Sequence, residues 1–311
     1  LVDYRKLKQF APHLVVISLF LLILTKVVYL INGYSWYKPA RWLSVGPLGF
    51  QTSDIARFSI IIFMAYYSDK KRQNLQDLQK GLLPAIFILF TIMSLIIIQP
   101  DYSTAIMIGS LGLIILFIGG AKLSQLSLTC SSALLIGIPV LLSREYRRQR
   151  VLSFFGLGDN PDIGYQAQQS LISLGNGGLL GTGLGNSIEK NHFLPTPHTD
   201  FIFAIIGEEL GFLIGTVPVL TLFLLIFFQG VKIAKNCNDP FGVFLSIGIA
   251  TNFILYAFVN AAVVTGLLPV TGLPMPMVSY GGSGMIINMS LIGILLNISQ
   301  AKRVVGDNGW I

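Results

Sequence analysis

Charged residues are scarce in this sequence. Only 11% of its 311 residues are Asp, Glu, Lys or Arg, whereas 53% are hydrophobic, and the mean hydropathy is +0.72. A soluble globular protein usually carries about 25% charged residues. So large a deficit means that much of the surface faces something other than water, which excludes an ordinary soluble domain.

Cysteine is also rare, and a regular alternation of apolar with polar residues is absent. Cys130 lies in an apolar stretch and Cys237 in a short loop with lysines, so we expect different depths and predict no disulfide. The missing alternation excludes an outer-membrane β-barrel. The net charge of +7 is explained by the loops between apolar stretches, so we expect no nucleic-acid partner.

What is present is a series of apolar runs near 20 residues, the length that crosses a hydrocarbon core of roughly 30 Å. Because lipid cannot satisfy backbone polar groups, these runs must be helices. The sequence therefore predicts an all-α fold class, a polytopic membrane helical bundle. Eight spans are predicted, at residues 11–31, 52–67, 82–99, 103–120, 125–142, 201–229, 241–264 and 281–299.

The distribution of Lys and Arg predicts the orientation. With a cytoplasmic N-terminus, the cytoplasmic segments carry 12 of these residues, against 2 in the short segments on the other side. Positive residues favour the inside, and long loops count little in this comparison. We therefore expect the N-terminus inside and the large loop, about residues 143–200, outside.

Four arginines lie close together at the start of this loop: Arg144, Arg147, Arg148 and Arg150. One interpretation is that a long loop crosses the membrane regardless of its charge. The other is an anion site at the outer surface, since arginine forks suit phosphate oxygens. A loop of this length is usually functional or disordered, and the glycines and leucines at 171–185 suit turns and short helices.

Two features of the sixth predicted span allow alternative interpretations. Gly207, Gly211 and Gly215 repeat every four residues, which is typical of close helix packing. Glu208 and Glu209 lie in the same apolar stretch, where a carboxylate is costly and usually faces a cavity or a partner. Both features are consistent either with interior packing or with a functional site.

A polar stripe and a proline-rich segment follow. Asn252, Tyr256 and Asn260 share one face of the seventh predicted span, for interhelical hydrogen bonds or for function. Residues 265–280 contain three prolines and lead into a Ser-Tyr-Gly-Gly-Ser sequence. This apolar, non-helical segment could re-enter the bundle where protein buries its backbone.

One stretch is specific enough to indicate a family. Residues 194–211 read LPTPHTDFIFAIIGEELG, which resembles the signature of the SEDS proteins (shape, elongation, division and sporulation), the family that includes FtsW and RodA. Further matches run over nearly the whole chain, at Arg41–Leu43, Gln99–Asp101, Tyr165–Ser170 and Val278–Ser283. Two other stretches resemble the division members (FtsW) more than the elongation members (RodA): Gly183–Ser187 and Ile206–Glu209.

The resemblance implies a single transmembrane domain over residues 1–311, with about 8–10 helices and one large extracytoplasmic loop. The family usually has ten spans and begins with one more helix than this sequence shows, so we expect that first helix to be absent here. Gln51–Asp54 departs from the family's Gln-Pro-Ser/Ala-Glu pattern. The lost proline leaves the start of that helix less defined.

SEDS proteins are peptidoglycan glycosyltransferases, so the resemblance implies polymerisation of lipid II on the outer face of the bacterial cytoplasmic membrane, in septal wall synthesis. It also implies a class B penicillin-binding protein as partner, together with membrane lipid and other division or elongation complex proteins. The reaction joins an acceptor sugar hydroxyl to the donor's anomeric carbon and expels the lipid diphosphate. It requires a base for the hydroxyl proton and cations for the diphosphate.

By its match to the family motif, Asp200 is the implied catalytic base. An Asp before an apolar helix is otherwise more often an N-cap, and a helix N-terminus keeps a carboxylate ionised but makes it a weaker base. A divalent cation such as Mg²⁺, bridging Asp200 and the diphosphate, would resolve this tension. Asp101 is a second candidate metal ligand; alternatively, it orients an arginine, or it is a cap or turn residue after Pro100.

The residues implied to bind substrate are an early-loop arginine, three clustered arginines and three polar residues of the matching motifs: Arg41, Arg147, Arg148, Arg150, Gln169, His198 and Ser279. Glu209 either shapes the cavity near the base or forms an interior pair. The three histidines lack the spacing of a zinc site.

Two other functions fit some of these features. A lipid II flippase needs polar groups along the whole membrane depth, whereas Asp200, Arg41, Asp101 and the arginine cluster all map to the outer side. This distribution favours the enzyme. A non-catalytic divisome scaffold would leave Asp200 as a replaceable cap.

Overall fold

A computed structural model describes residues 3–32, 41–45, 48–143, 145–157, 161–191 and 193–307. The described chain is helical almost throughout, which confirms the all-α membrane bundle. Its elements, in chain order, are α1 (Leu7–Ile31), β1 (Trp42–Val45), β2 (Leu48–Gln51), α2 (Thr52–Lys70), α3 (Leu83–Ile98), α4 (Tyr102–Ile118), α5 (Leu123–Leu142), α6 (Glu145–Phe154), α7 (Pro161–Gly177), α8 (Ile202–Gly211), α9 (Val217–Lys235), α10 (Pro240–Val264) and α11 (Gly282–Asp307).

Six helical stretches in the described part of the chain are long and apolar enough to cross a membrane: Tyr4–Ile31, Leu78–Ile98, Leu123–Leu142, Ile202–Lys235, Pro240–Val264 and Gly282–Ala301. Each of the eight predicted spans coincides with a helical stretch. The two outside the group of six are α4, which has 17 residues, and α2, which carries Asp54 and Arg57. The chain is a multi-pass membrane protein.

The elements form two compact units. The first unit comprises residues 1–129, 227–252 and 282–311, and the second comprises residues 130–226 and 253–281. Helices α5, α9 and α10 each begin in one unit and end in the other. Neither unit is therefore a continuous stretch of sequence.

Helix α2 is the buried centre of the first unit. Ile60, Ile62 and Met64 have no exposed surface, so this helix is covered on all sides and not along a single stripe. It packs against α1 and α4, and the Ser59 hydroxyl donates to the Leu14 carbonyl of α1 at 3.1 Å. Protein therefore encloses α2, and some of its polar side chains, such as Ser59, donate to neighbouring backbone inside the unit.

An antiparallel hairpin of β1 and β2 precedes α2, and the sequence analysis did not predict it. The pair Trp42 and Gln51 lies at its open end. There the Thr52 amide donates to the Arg41 carbonyl at 3.3 Å, at the first residue of α2. The hairpin therefore fixes the helix start that the departure from the family pattern left undefined.

The sixth predicted span is present, but it is broken. Helix α8 ends at Gly211, whose backbone has φ 76° and ψ −177°, a conformation essentially reserved for glycine. A π-helical turn over Phe212–Thr216 follows and leads into α9. The glycines that repeat every four residues therefore differ in role. Gly211 breaks the helix, whereas Gly207 packs against α7. A Cβ on Gly177 of α7 would lie 2.0 Å from the Gly207 carbonyl oxygen.

The backbone of residues 178–183 fills the break between α8 and the π-helical turn. Two amides of this segment donate to the Glu208 and Glu209 carbonyls at 2.9 and 3.0 Å. Two of its carbonyls accept from the amides of residues 212 and 213, also at 2.9 and 3.0 Å. The backbone groups that the break frees are therefore satisfied by protein, as lipid requires.

The second unit contains most of the predicted large loop. Helices α6 and α7 lie within residues 143–200, and an irregular stretch follows α7, which confirms the expected mixture of short helices and turns. The proline-rich segment after α10 is non-helical, as predicted, and buries Leu273, Met275 and Ser279. Cys130 and Cys237 are both unpaired, as predicted.

Candidate active site

Asp200 lies in the turn before α8 and is half-buried. The N-cap of α8 is Phe201, and no side chain makes a capping hydrogen bond there. Asp200 therefore does not hold the N-cap position that the alternative interpretation gave it. A Cβ on Gly272 would lie 3.3 Å from Asp200 Oδ2, so the proline-rich segment passes directly beside the carboxylate.

The proline-rich segment also holds the backbone just before Asp200. The Ser279 hydroxyl donates to the Thr199 carbonyl at 2.5 Å and itself accepts from the Met275 amide at 2.8 Å. The Tyr280 amide donates to the His198 carbonyl at 2.9 Å. Ser279 thus orders the segment that carries Asp200, while the His198 side chain is exposed.

Asn260 of α10 completes this arrangement. Its side-chain amide donates to the Asp200 carbonyl and to the Leu273 carbonyl, both at 2.8 Å. One buried residue therefore ties the Asp200 backbone to the proline-rich segment. The polar stripe of the sequence analysis contained Asn260, but its contact with the candidate base has no signal in the sequence.

Three consecutive carbonyls, of residues 198, 199 and 200, are thus each engaged by a donor from the second unit. Nearby backbone is held in the left-handed region at two non-glycine residues, Thr196 with φ 52° and Met277 with φ 63°. Such conformations persist only where the surroundings over-determine them, and they cluster at functional sites. The geometry presents the Asp200 carboxylate from a fixed backbone.

The three described arginines of the predicted anion site make different contacts in the structure. Arg147 donates to the carbonyls of residues 140 and 141 at the end of α5, and Arg148 forms an exposed ion pair with Glu145. Arg150 donates to the Val270 carbonyl at 3.2 Å, on the proline-rich segment two residues before Gly272. Arg150 is therefore the member that the structure connects to the segment beside Asp200.

Two further predictions concern residues around this cluster. Arg144 lies outside the described residues. Gln169 is half-buried on α7 next to Ser170, whose hydroxyl donates to the Val264 carbonyl at 2.6 Å. A substrate-binding role for Gln169 stays a prediction.

Arg41 and Asp101 belong to the first unit. Arg41 donates to the Pro100 carbonyl at 2.7 Å, and its Nε lies 3.8 Å from Asp101 Oδ2. The same oxygen accepts from the Gln51 side chain at 3.3 Å. Asp101 is buried beside the half-buried Arg41 and holds the N-cap position of α4 without a side-chain capping bond. The structure therefore places it where two of its three predicted roles, orienting Arg41 and ending a turn, are possible.

A second polar network of the first unit was missed by the sequence analysis. Asp54 pairs with the buried Arg57 at 3.1 Å and accepts from the Ser283 hydroxyl at 3.2 Å. Arg57 also donates to Asn288 at 3.3 Å. These contacts join the start of α2 to α11, and they required side chains more than 220 residues apart in sequence to be placed together.

The described residues contain no cluster of three or more His, Cys, Asp or Glu side chains suited to hold a metal ion. Asp101 Oδ2 accepts from the Gln51 side chain and lies 3.8 Å from Arg41 Nε, and a role of Asp101 as a metal ligand stays a prediction. Asp200 fits the one-carboxylate role that Mg²⁺ takes beside substrate phosphates, because it is half-buried at the end of the loop that precedes α8. A metal at Asp200 stays a prediction.

Comparison with known sequences places the chain among membrane proteins of the bacterial cell cycle. The FtsW/RodA/SpoVE family, described as cell cycle proteins, matches residues 1–304. A probable peptidoglycan glycosyltransferase FtsW from Geobacter sulfurreducens is 38% identical over 303 residues, which cover 97% of this chain and 80% of the relative. Stage V sporulation protein E from Bacillus subtilis is 36% identical over 305 residues, which cover 97% and 82%.

Solved structures agree with this assignment. A chain described under "Structural coordination of polymerization and crosslinking by a peptidoglycan synthase complex" has a TM-score of 0.79 and 26% identity, covering 97% of this chain and 84% of that one. The rod shape determining protein RodA from Thermus thermophilus shares the fold with a TM-score of 0.65, at 24% identity over 97% and 81%. The resemblance inferred from the motifs is thus confirmed, and the chain belongs to the FtsW/RodA/SpoVE family of cell cycle proteins.

Proposed function

We propose that this protein is a peptidoglycan glycosyltransferase that polymerises lipid II on the outer face of the cytoplasmic membrane, in division. The relatives named as probable peptidoglycan glycosyltransferases match over nearly the whole chain. The observation that carries the proposal is Asp200, whose backbone is held at three successive carbonyls while its carboxylate borders Gly272. A half-buried carboxylate on a fixed backbone suits a general base.

In the proposed reaction, Asp200 accepts the proton of the acceptor sugar hydroxyl as the oxygen attacks the donor's anomeric carbon. The bond between that carbon and the diphosphate oxygen breaks, and undecaprenyl diphosphate leaves with the bonding pair. A positioned base contributes typically 10²–10⁴-fold to such a step. Holding the base rigid also removes the cost of reorganisation during the reaction.

Cations for the leaving diphosphate are available in the second unit. Arg147, Arg148 and Arg150 are the proposed contacts, of which Arg150 is tied to the segment beside Asp200. A substrate contact of Arg41, in the first unit, stays a prediction. When bound, a divalent cation such as Mg²⁺ would supply further positive charge for the diphosphate, and Asp200 would hold it. His198 and Gln169 are the proposed polar contacts to the sugars and peptide.

The proposed orientation places the N-terminus in the cytoplasm and residues 143–200 outside, as the distribution of Lys and Arg indicates. The proposed partner is a class B penicillin-binding protein, a transpeptidase. A solved neighbour is described as part of a complex that coordinates polymerization with crosslinking, which supports such a partner here. Other division or elongation proteins would assemble around the pair.

A lipid II flippase is the second candidate function, because the broken helix α8–α9 and its buried Glu208 are features of transporters. The break, however, is closed by the backbone of residues 178–183, and Glu208 is fully engaged by hydrogen bonds of the same loop. Such a filled break favours a static support over a moving gate. A non-catalytic scaffold is the third candidate.

Polymerisation by the purified protein with its transpeptidase tests these alternatives. The wild type with Mg²⁺ and labelled lipid II should give glycan polymer, and Asp200→Asn should lower the rate by roughly 10²–10⁴-fold, because it removes the base but nearly preserves shape. Asp77→Asn is the matched control, since exposed Asp77 caps a turn and Asn caps equally well. Equal polymer from Asp200→Asn would remove Asp200 as the base, and no polymer from the wild type would favour the flippase or scaffold.

A further inference from the structure

Glu208 is a fully buried carboxylate inside the candidate membrane span Ile202–Lys235. A charge in such a place is costly unless protein donors surround it. Its position on α8 is two turns after Asp200, and it takes no part in the proposed reaction. The hydrogen-bond donors around the Glu208 carboxylate indicate its role.

Every donor to Glu208 comes from outside its own helix. Ser187 donates to Oε2 at 2.6 Å and the Ile188 amide donates to Oε1 at 2.9 Å, both from the irregular stretch after α7. Ser173 of α7 donates to Oε2 at 2.9 Å. Charge-assisted hydrogen bonds of this kind are roughly twice as strong as neutral ones, so Glu208 fastens the loop to α8.

The next residue of α8 reinforces the same attachment. Lys190 forms an ion pair with Glu209 at 2.5 Å and also donates to the Gly185 carbonyl at 2.8 Å. This is the interior pair that the sequence analysis gave as one role for Glu209. Two adjacent acidic residues therefore hold residues 185–190, Glu208 through Ser187 and Ile188 and Glu209 through Lys190.

Glu189 behaves differently from its neighbour Glu208. Its side chain is buried, and one carboxyl oxygen has no hydrogen-bond partner among the described residues. Burial, together with the charge of Glu208, raises the pKa of Glu189. Glu208 is thus the carboxylate for which the loop supplies donors.

A further hydrogen bond links the anchored loop to the segment that leads to Asp200, the candidate base. The Glu189 carbonyl accepts from the amide of buried Leu194 at 2.9 Å, and six residues later the chain reaches Asp200. We infer that Glu208 is a positioning residue: by anchoring residues 187–189 to α8 it fixes the loop that delivers Asp200. This inference rests on the proposed function for its catalytic consequence, but not for the anchoring itself.

Two measurements on the same variants test the inference. Amide hydrogen exchange over residues 187–194 reports the anchoring, and steady-state polymerisation of lipid II with the transpeptidase present gives kcat and KM separately. Glu208→Ala should speed exchange in this loop and lower kcat roughly 10- to 100-fold with little change in KM, since small misplacements of a catalytic group have effects of this size. Glu208→Gln, which keeps the shape and an acceptor oxygen, should show loop exchange and a kcat close to those of the wild type.

Asn297→Ala is the matched control, because Asn297 accepts from the Tyr4 amide at 2.9 Å in the first unit and its loss weakens the fold away from the loop. It should lower the melting temperature without changing kcat. If Glu208→Ala is not recovered folded, Ser187→Ala should show the same two effects at smaller size. Unchanged loop exchange, or faster exchange with unchanged kcat, would overturn the inference, and an inactive wild type with slow loop exchange would instead contradict the proposed function.

Discussion

At the scale of single residues, the Asn260 side chain donates to two backbone carbonyls, those of Asp200 and Leu273. Each buried carbonyl left without a donor costs about 1–3 kcal/mol. We therefore expect Asn260→Ala to lower the melting temperature and to lower kcat for polymerisation, because the Asp200 backbone loses its link to the proline-rich segment. Thermal unfolding in detergent and the lipid II assay measure the two effects.

Asn236→Ala is the control for this variant. Asn236 is an exposed residue after α9, and only its backbone amide takes part in the described hydrogen bonds. Asn236→Ala should leave the melting temperature and kcat for polymerisation unchanged. Wild-type stability and turnover in Asn260→Ala would show that Asn260 does not hold the site.

The residues that stand in a family motif could be predicted from the sequence, whereas the contacts that they make could not. Asp200 and Ser279 stand in the matching motifs, whereas the donors to carbonyls 198–200 include a backbone amide and an interior asparagine. Backbone partners leave no residue-specific pattern. For the same reason the contacts of Arg147 with the carbonyls of residues 140 and 141 had no signal in the sequence.

At the scale of elements, the break at Gly211 makes a strong prediction. A Cβ there would lie 2.3 Å from the Gly181 amide nitrogen, and the φ of 76° strains any other residue. Such strain costs about 1–3 kcal/mol even without the clash. Gly211→Ala should therefore lower the melting temperature markedly and reduce polymerisation, as the loop separates from the broken helix.

Gly293→Ala provides the comparison, since Gly293 lies within α11 and a Cβ there would meet nothing within 4 Å. Alanine is favoured over glycine inside a helix by about 0.5–1 kcal/mol. The melting temperature of Gly293→Ala should be unchanged or slightly higher. Equal effects of the two substitutions would contradict the role given to Gly211.

Helices were predictable because lipid allows no other structure for long apolar runs. The hairpin before α2 was not, since each strand has only four residues and carries little periodicity. The break in the sixth span was hidden for another reason. A glycine within an apolar run is equally compatible with helix packing, as at Gly207, and with the non-helical backbone of Gly211.

At the scale of the whole molecule, the orientation can be tested by labelling. In a variant with Cys130→Ala and Cys237→Ala, exposed Leu184 in the loop and exposed Gln73 after α2 would each be replaced by cysteine. A membrane-impermeant maleimide should label Leu184→Cys in intact spheroplasts, and Gln73→Cys only after lysis. The reverse pattern would contradict the proposed orientation.

The polar network that joins α2 to α11 also determines an order of events during synthesis of the chain. Asp54 and Arg57 find Ser283 and Asn288 only after a further 229 and 231 residues of chain have been made. At about 5–20 residues per second, synthesis of that chain takes roughly 10 to 50 s. During this interval Asp54, three residues away on α2, already pairs with Arg57 within the same helix. Helix α2 therefore enters the membrane with a local ion pair, and α11 completes the surroundings of that pair later.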